Sequence, residues 1–418
     1  MLTRRRLLTT AAATGLAAVS VHLPRPAFAA GRAIRIGLVT PASGPLAPFA
    51  AADSFVLDQL KDILAAGVQI AGETHPIEVI VKDSQSNPSR AAEVAAELID
   101  GDEVDLIIAA GTADTTNPTA DQAEAAGVPC ITTDTPWQAH FFGRRGEPET
   151  GFDWTYHFFW GLGQISDVYV GIWNLKDTNR KIGALWSNDP DGVAIQGGVT
   201  EAVTKDGKFT LVDAGLFAPG STDFSAQIAQ FKEAGVEILT GLMIPPDFST
   251  FWTQAAQQGF QPKIATVAKA LLFPQTIDAL GDRGTGLTTE LWWSPFHPFT
   301  SSLTGQSAAD LCAAFEAATG TQWTPPLGFK HALMEVAIDA LRRSAALEPE
   351  AIRDAIKATN LATIAGPVNF SAGPVPNISE TPLVGGQWIK GTAFPHDQSV
   401  IFNATAPEIP VNAELQLL

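Results

Sequence analysis

One feature constrains this chain more than any other: an apolar run followed by an amphipathic stretch, repeated through two separate series. "AIRIGLVT" (33–40) precedes "FAAADSFVLDQLKDILAAG" (49–67), whose apolar residues recur at helical spacing up to a closing Gly67. "IEVIVKD" then leads into "SRAAEVAAELI", "VDLIIAAG" into "TADQAEAAG", and "VPCITTD" ends the first series. After the aromatic stretch "DWTYHFFWGLG" (153–163) the pattern resumes. "KIGALWSND" is followed by a helix near 191–206, "FTLVDAGLF" by "FSAQIAQFKEAG", "VEILTGLM" by "FSTFWTQAAQQG", and "PKIATVAKA" by "FPQTIDALG". Strands apolar along their whole length, each followed by a helix, predict parallel sheets covered on both faces. Two series predict two such sheets, an α/β fold of two doubly wound lobes. Beyond "LTTELWWSPFHPF" the pattern gives two or three helices over about 306–358, then short strand and turn segments such as "GPVNF" and "GGQWIKGTAF". The resulting division is 30–161 for the first lobe, 162–293 for the second, 294–360 returning to the first, and 361–418 as hinge and C-terminal segment on the second. Several crossings around a cleft make a hinge.

The first 29 residues stand apart. "TRRRLLTT", the alanine-rich apolar "AAATGLAAVSV" and "AFA" at 27–29 have the form of an export signal cleaved near Ala29. The arginines at 4, 5 and 6 fit a twin-arginine signal; the alternative is a Sec signal with an extra arginine. Without this segment 22 basic side chains face 44 acidic ones, a formal charge of −22. Such an excess of acid argues against nucleic acid or anionic lipid as a partner. No later apolar run is long enough to span a bilayer, so the mature protein is expected in the periplasm, free of the membrane. The two cysteines, Cys130 and Cys312, form no disulfide framework and are expected to be buried thiols. Cysteines and histidines do not cluster as metal ligands do, and no cofactor is expected.

Four segments in this order, "IGLVTPASGPLAPFA", "KDSQSNPSRAA", "AAGTADTTNPTADQAEAAGVPCIT" and "STDFSAQIAQFKEAGVEIL", resemble the periplasmic substrate-binding proteins of ATP-driven importers, in the branch that binds leucine, isoleucine and valine. The resemblance covers nearly all of the mature chain. It implies a type I periplasmic binding fold that captures a small solute between two lobes and presents it to an ABC permease in the inner membrane. A monomer is expected, with no chemistry performed on the ligand. "DSQSNP" (83–88) corresponds to a strand-to-helix turn, with Asn87 and Pro88 starting the helix.

Carried onto this chain, the resemblance places the ligand positions and shows several departures. Phe49 falls where the family has an aromatic lid. Ala113 replaces a serine that holds an amino acid's carboxylate, leaving backbone N–H groups at a helix start, with Asp114 beside them; a plain helix cap is the other reading. Asp134, Thr135 and Trp137 in "TTDTPW" make the next strand end acidic and bulky. Asp134 is either a hydrogen-bond acceptor for an amine, amide or hydroxyl, or a helix cap. In the second lobe Asp191 and Ile244 stand where aromatics are common. Lys269 reverses the charge of the acid that pairs with an amino acid's ammonium. Its expected partner is a carboxylate or another acceptor, with a solvent-facing lysine as the alternative. Among the aromatics, Trp137, Tyr156 and Trp293 are the preferred contacts. The ligand expectation is a flat aromatic or otherwise apolar acid, or an amino-acid-like compound.

Two other classes remain. An exported enzyme would carry its signs, and there is no Gly-x-Ser-x-Gly elbow and no Walker-type loop, while "GLGQIS" lacks the third glycine of a dinucleotide fingerprint. His157, His297 and His331 are scattered and expected to be packing residues. A ligand-sensing module would share the binding fold and differ in its partner.

Overall fold

The computed structural model describes residues 29–418, so the export signal expected at 1–29 lies almost wholly outside the described residues. The first series forms β1 (Ile34–Thr40), α1 (Asp53–Ala66), β2 (Ile77–Asp83), α2 (Pro88–Ala96), β3 (Leu106–Ala110), α3 (Ala113–Ala126), β4 (Cys130–Thr133), α4 (Trp137–Phe141) and β5 (Thr155–Phe158). Its strands pair in the order β5-β4-β3-β1-β2, all parallel. β1 reads "IRIGLVT" and is buried over almost its whole length, as a strand with helices on both faces must be.

The second series forms α5 (Leu162–Asn174), β6 (Lys181–Ser187), α6 (Pro190–Asp206), β7 (Thr210–Phe217), α7 (Ser225–Ala234), β8 (Ile238–Met243), α8 (Pro245–Gln257), β9 (Ile264–Lys269), α9 (Pro274–Ala279) and β10 (Thr288–Leu291). Its sheet runs β7-β6-β8-β9-β10 in parallel. The chain then makes α10 (Ala308–Thr319), α11 (Pro326–Arg343) and α12 (Pro349–Lys357). α11 packs against α1, β3 and β4 of the first half. A two-residue strand β11 (Ile378–Ser379) joins the first sheet beside β5. β12 (Val384–Lys390) and β13 (His396–Phe402) then extend the second sheet antiparallel to β10 and to each other. Here the structure departs from an all-parallel expectation: the second sheet ends in a hairpin, which needs only a short turn, where a parallel strand needs a crossover.

The chain therefore passes between the sheets three times, after β5, after β10 and after β11. The largest apolar cluster includes residues of both halves, from Ile36 and Phe49 to Trp186 and Leu242. Cys130 and Cys312 are both buried free thiols, and burial pushes the Cys130 thiol up to about 12.

The "DSQSNP" turn is a brace. Asn87 Oδ1 accepts the Arg90 N–H at 3.0 Å as the N-cap of α2, with Pro88 next. Asp83 accepts the Ser43 hydroxyl at 2.5 Å and the Gln85 N–H at 2.7 Å. Ser86 Oγ accepts the Leu46 N–H at 3.0 Å and donates to the Ser43 carbonyl at 2.6 Å. The turn thus holds the 43–46 loop that leads into Phe49.

Candidate functional site

The carboxyl ends of the two parallel sheets face each other, which is where ligands bind in open α/β sheets. From β1 the chain runs through the braced loop to Phe49, which is 1% exposed. Its ring meets Phe273 edge-on at 5.0 Å and lies over Trp292 at 6.2 Å, so a first-half side chain is packed on two second-half rings. The N-termini of α3 and α6 also meet. Asp191, in the first turn of α6, sends Oδ2 across to accept the Ala113 N–H at 3.2 Å. A carboxylate between two helix N-termini is favourable to both dipoles.

Lys269 ends β9 with φ 63° and ψ −60°, a backbone that is costly for a residue with a Cβ. Its N–H donates to Glu290 Oε1 at 3.1 Å. Its ammonium is 2.7 Å from Asp191 Oδ2 and 3.8 Å from Asp189 Oδ1. Burial acts to lower the pKa of Lys269, but the charges of Asp189, Asp191 and Asp114 outweigh it and hold the ammonium above its usual range. Burial pushes the Asp114 carboxyl up to about 6; Lys269 draws it down, while Asp189 and Asp191 push it further up. Glu290 accepts from the Tyr169 hydroxyl at 2.6 Å and the Thr289 hydroxyl at 2.7 Å, and burial raises it above the usual carboxylate range.

Asp134 follows β4 with φ 68°, a left-handed backbone that Asp tolerates better than most residues. Its side chain is fully buried and neither oxygen has a hydrogen-bond partner. Lys330 of α11 comes only to 4.0 Å of it, being held by Asp53 at 3.4 Å, the Ala110 carbonyl at 3.2 Å and the Thr40 hydroxyl at 3.4 Å. Burial pushes Asp134 up to about 7, against the pull of Lys330.

Phe49, Asp134, Asp191 and Lys269 line one enclosed interlobe cavity of about 10 Å³, room for about one water molecule. An open depression of about 1030 Å³ lies between α5 and α6 at the surface, without buried charge in its walls to match. Of the remaining expected residues, Ala113 contributes its N–H and Asp114 its charge. Neither these two nor the others line the cavity. Thr135 is buried against α3, its hydroxyl 3.0 Å from that of Thr116. Trp137 donates its indole N–H to Glu380 at 2.8 Å and packs on Phe141. Tyr156 faces Phe370, and Ile244 starts α8 inside the apolar cluster. Trp293 turns away to give its indole N–H to the Ile364 carbonyl at 2.9 Å and to meet Trp323. In their place Phe159, Trp160 and Trp292 form the aromatic wall, with Glu290 beside them. Adjacent residues in extended chain point to opposite sides, so "WW" at 292–293 announces one inward tryptophan without saying which.

His140, His157, His297 and His331 are packed within the structure. His157 Nε2 donates to the Thr135 carbonyl at 2.8 Å, so Nδ1 accepts from the Thr132 hydroxyl, also at 2.8 Å. His140 Nε2 accepts from Arg144 at 3.1 Å, so Nδ1 donates to Asn117 at 3.0 Å. Both rings are neutral and stacked at 4.2 Å, and burial holds the pKa of each far below its ordinary value. His297 and His331 bond to Ser294 and Ser301.

Comparisons agree with this architecture. The chain is 26% identical over 221 residues to a Leu/Ile/Val-binding protein homolog of Brucella melitensis, covering 51% of this chain and 55% of that one, so it spans about half the length of that relative. A leucine-binding protein of Thermotoga maritima superposes with a TM-score of 0.73 at 18% identity, over 89% of this chain and 99% of the other. A solute-binding protein of an ABC transporter from Rhodopseudomonas palustris, in complex with 3,4-dihydroxybenzoic acid, gives 0.71 at 19% identity, over 89% and 98%. The periplasmic binding protein model matches residues 33–379, most of the chain; with two α/β sheets facing across a buried cleft, the chain belongs to the periplasmic binding protein family.

Proposed function

We propose that this protein is the solute-binding component of an ABC importer. It captures a small organic molecule between its two lobes in the periplasm and delivers it to a membrane permease without altering it. The observation that carries this reading is the interlobe layer itself. Phe49 and the Ala113 N–H from the first half meet Phe273, Trp292 and Asp191 from the second, and Phe49, Asp134, Asp191, Lys269 and Trp292 line one cavity between them. A ligand that touches both sides favours the closed form over the open one, which is the population shift a carrier needs.

The family is one of periplasmic binding proteins, and the buried rings of His140 and His157, neutral and bonded at both nitrogens, are spent on packing. Among the described residues no helix is long and apolar enough to cross a membrane. The aromatic wall supports a ligand with a flat or apolar face. Leucine and 3,4-dihydroxybenzoate, named for two of the structural relatives, both have one.

The test has two parts. A thermal-shift screen against amino acids, amides, amines and aromatic acids should give a ligand that raises the melting temperature by mass action. Deleting the gene should abolish uptake of that compound. Unchanged uptake with altered gene expression would replace transport by sensing, and turnover of the compound by purified protein would replace it by catalysis.

A further inference from the structure

The cavity between the lobes is charged unevenly. Asp134 enters it from the first half and Asp191 and Glu290 from the second, whereas Lys269 is the one basic residue in its lining. Asp189 and Asp114 add two carboxylates whose charges act on Lys269. The one cationic group, the Lys269 ammonium, and the Ala113 N–H are both taken by Asp191 Oδ2. What remains is charged acceptor capacity beside neutral donors: both oxygens of the fully buried Asp134, and Asp191 Oδ1, lack a hydrogen-bond partner, as do the indole N–H groups of Trp160 and Trp292, which carry no charge.

A carboxylate ligand would have to compete with Asp191 for one ammonium while Asp114 and Asp189 stand close by, in a site shielded from water where like charges repel strongly. A cation meets the opposite balance. It supplies the charge the carboxylates lack and the donors that Asp134 needs. The walls suit an organic cation, because Phe49, Phe159, Trp160 and Trp292 present aromatic rings and a ring face attracts positive charge. A metal ion fits less well, since no three His, Cys, Asp or Glu side chains among the described residues converge as metal ligands do.

Building on the solute-capture role above, we propose that the cleft selects an organic cation, an amine or ammonium compound with an apolar or aromatic body, whose positive charge meets Asp134 across the aromatic wall. Burial holding Asp134 near 7 and Asp114 near 6 accords with carboxylates short of counter-charge. The charged groups facing Asp134 are Lys330 on α11 and Asp53 on α1, which largely serve each other.

The experiment is isothermal titration of the purified exported protein with matched probes: phenethylamine, isoamylamine and choline against 3-phenylpropionate, 4-methylpentanoate and 2-phenylethanol. At least one amine should bind at least about tenfold more tightly than its carboxylate and alcohol counterparts, and Asp134→Asn should remove that advantage. Asn tolerates the left-handed backbone as Asp does, and a circular-dichroism melt confirms that the variant is folded. Carboxylates binding as tightly as amines, absence of any preference for charge, or an amine preference that survives Asp134→Asn would each overturn the proposal. Failure of the capture role reads differently: a bound probe that leaves the radius of gyration unchanged in solution scattering, or uptake that is indifferent to gene deletion.

Discussion

At Lys269 a buried ammonium is contested by three carboxylates on a strained backbone. Removing it leaves Asp191 and Asp189 buried without their counter-charge, so Lys269→Met should destabilise the protein by about 3–5 kcal/mol in urea unfolding. A solvent-facing lysine would give no measurable change. Asp134 makes a pH prediction. Its carboxyl sits near 7 in the folded state, against about 3.9 in an unfolded chain, so the folded state binds the proton more tightly. That stabilising contribution is complete below about pH 4 and is lost as pH rises through about 7. The unfolding free energy of the wild type relative to Asp134→Asn should therefore fall by about 2–3 kcal/mol between pH 5 and pH 8. A flat difference would mean that Asp134 is not desolvated. Both residues were visible in the sequence as departures of charge at strand ends. Their partners were not, because Asp191, Asp189 and Lys330 come from segments far apart in the chain. In the structure Lys269 meets a carboxylate of the protein itself, that of Asp191.

Among the elements, α6 shows how a helix is aimed. Asp189 caps it by accepting the Gly192 N–H at 2.8 Å, and Pro190 fixes its first turn. A Cβ on Gly192 would lie 1.9 Å from the Ser187 carbonyl oxygen, so only glycine lets the helix start this close to the end of β6. Gly192→Ala should cost about 1–3 kcal/mol in a thermal or denaturant melt and displace Asp191 from the Ala113 N–H. Capping at α2 is a smaller effect: Asn87→Ala should cost about 1 kcal/mol, measured the same way. Asn87–Pro88 was legible because a cap is a local device. The choice between Trp292 and Trp293 was not, since it depends on partners distant in the chain: Trp292 packs on Phe49 and Phe159, whereas Trp293 bonds to the Ile364 carbonyl.

For the molecule as a whole, closure rests on contacts between halves, and Phe49 supplies an apolar one by packing on Phe273 and Trp292. Phe49→Ala should shift the ligand-free protein toward an open form, seen as a larger radius of gyration in solution scattering. An unchanged radius would mean that Asp191 and the crossing strands hold the lobes alone. The alternation of apolar strands and amphipathic helices determined the two parallel sheets by itself, because periodicity and strand burial are properties of consecutive residues. Only the tertiary structure decided what stands in the cleft: that Asp191 reaches Ala113, that Trp160 and Trp292 face inward while Trp137, Tyr156 and Trp293 do not, and that the second sheet ends in a hairpin. Those outcomes are set where distant segments meet, and neither spacing nor composition encodes which of two neighbouring side chains a packed neighbour will cover.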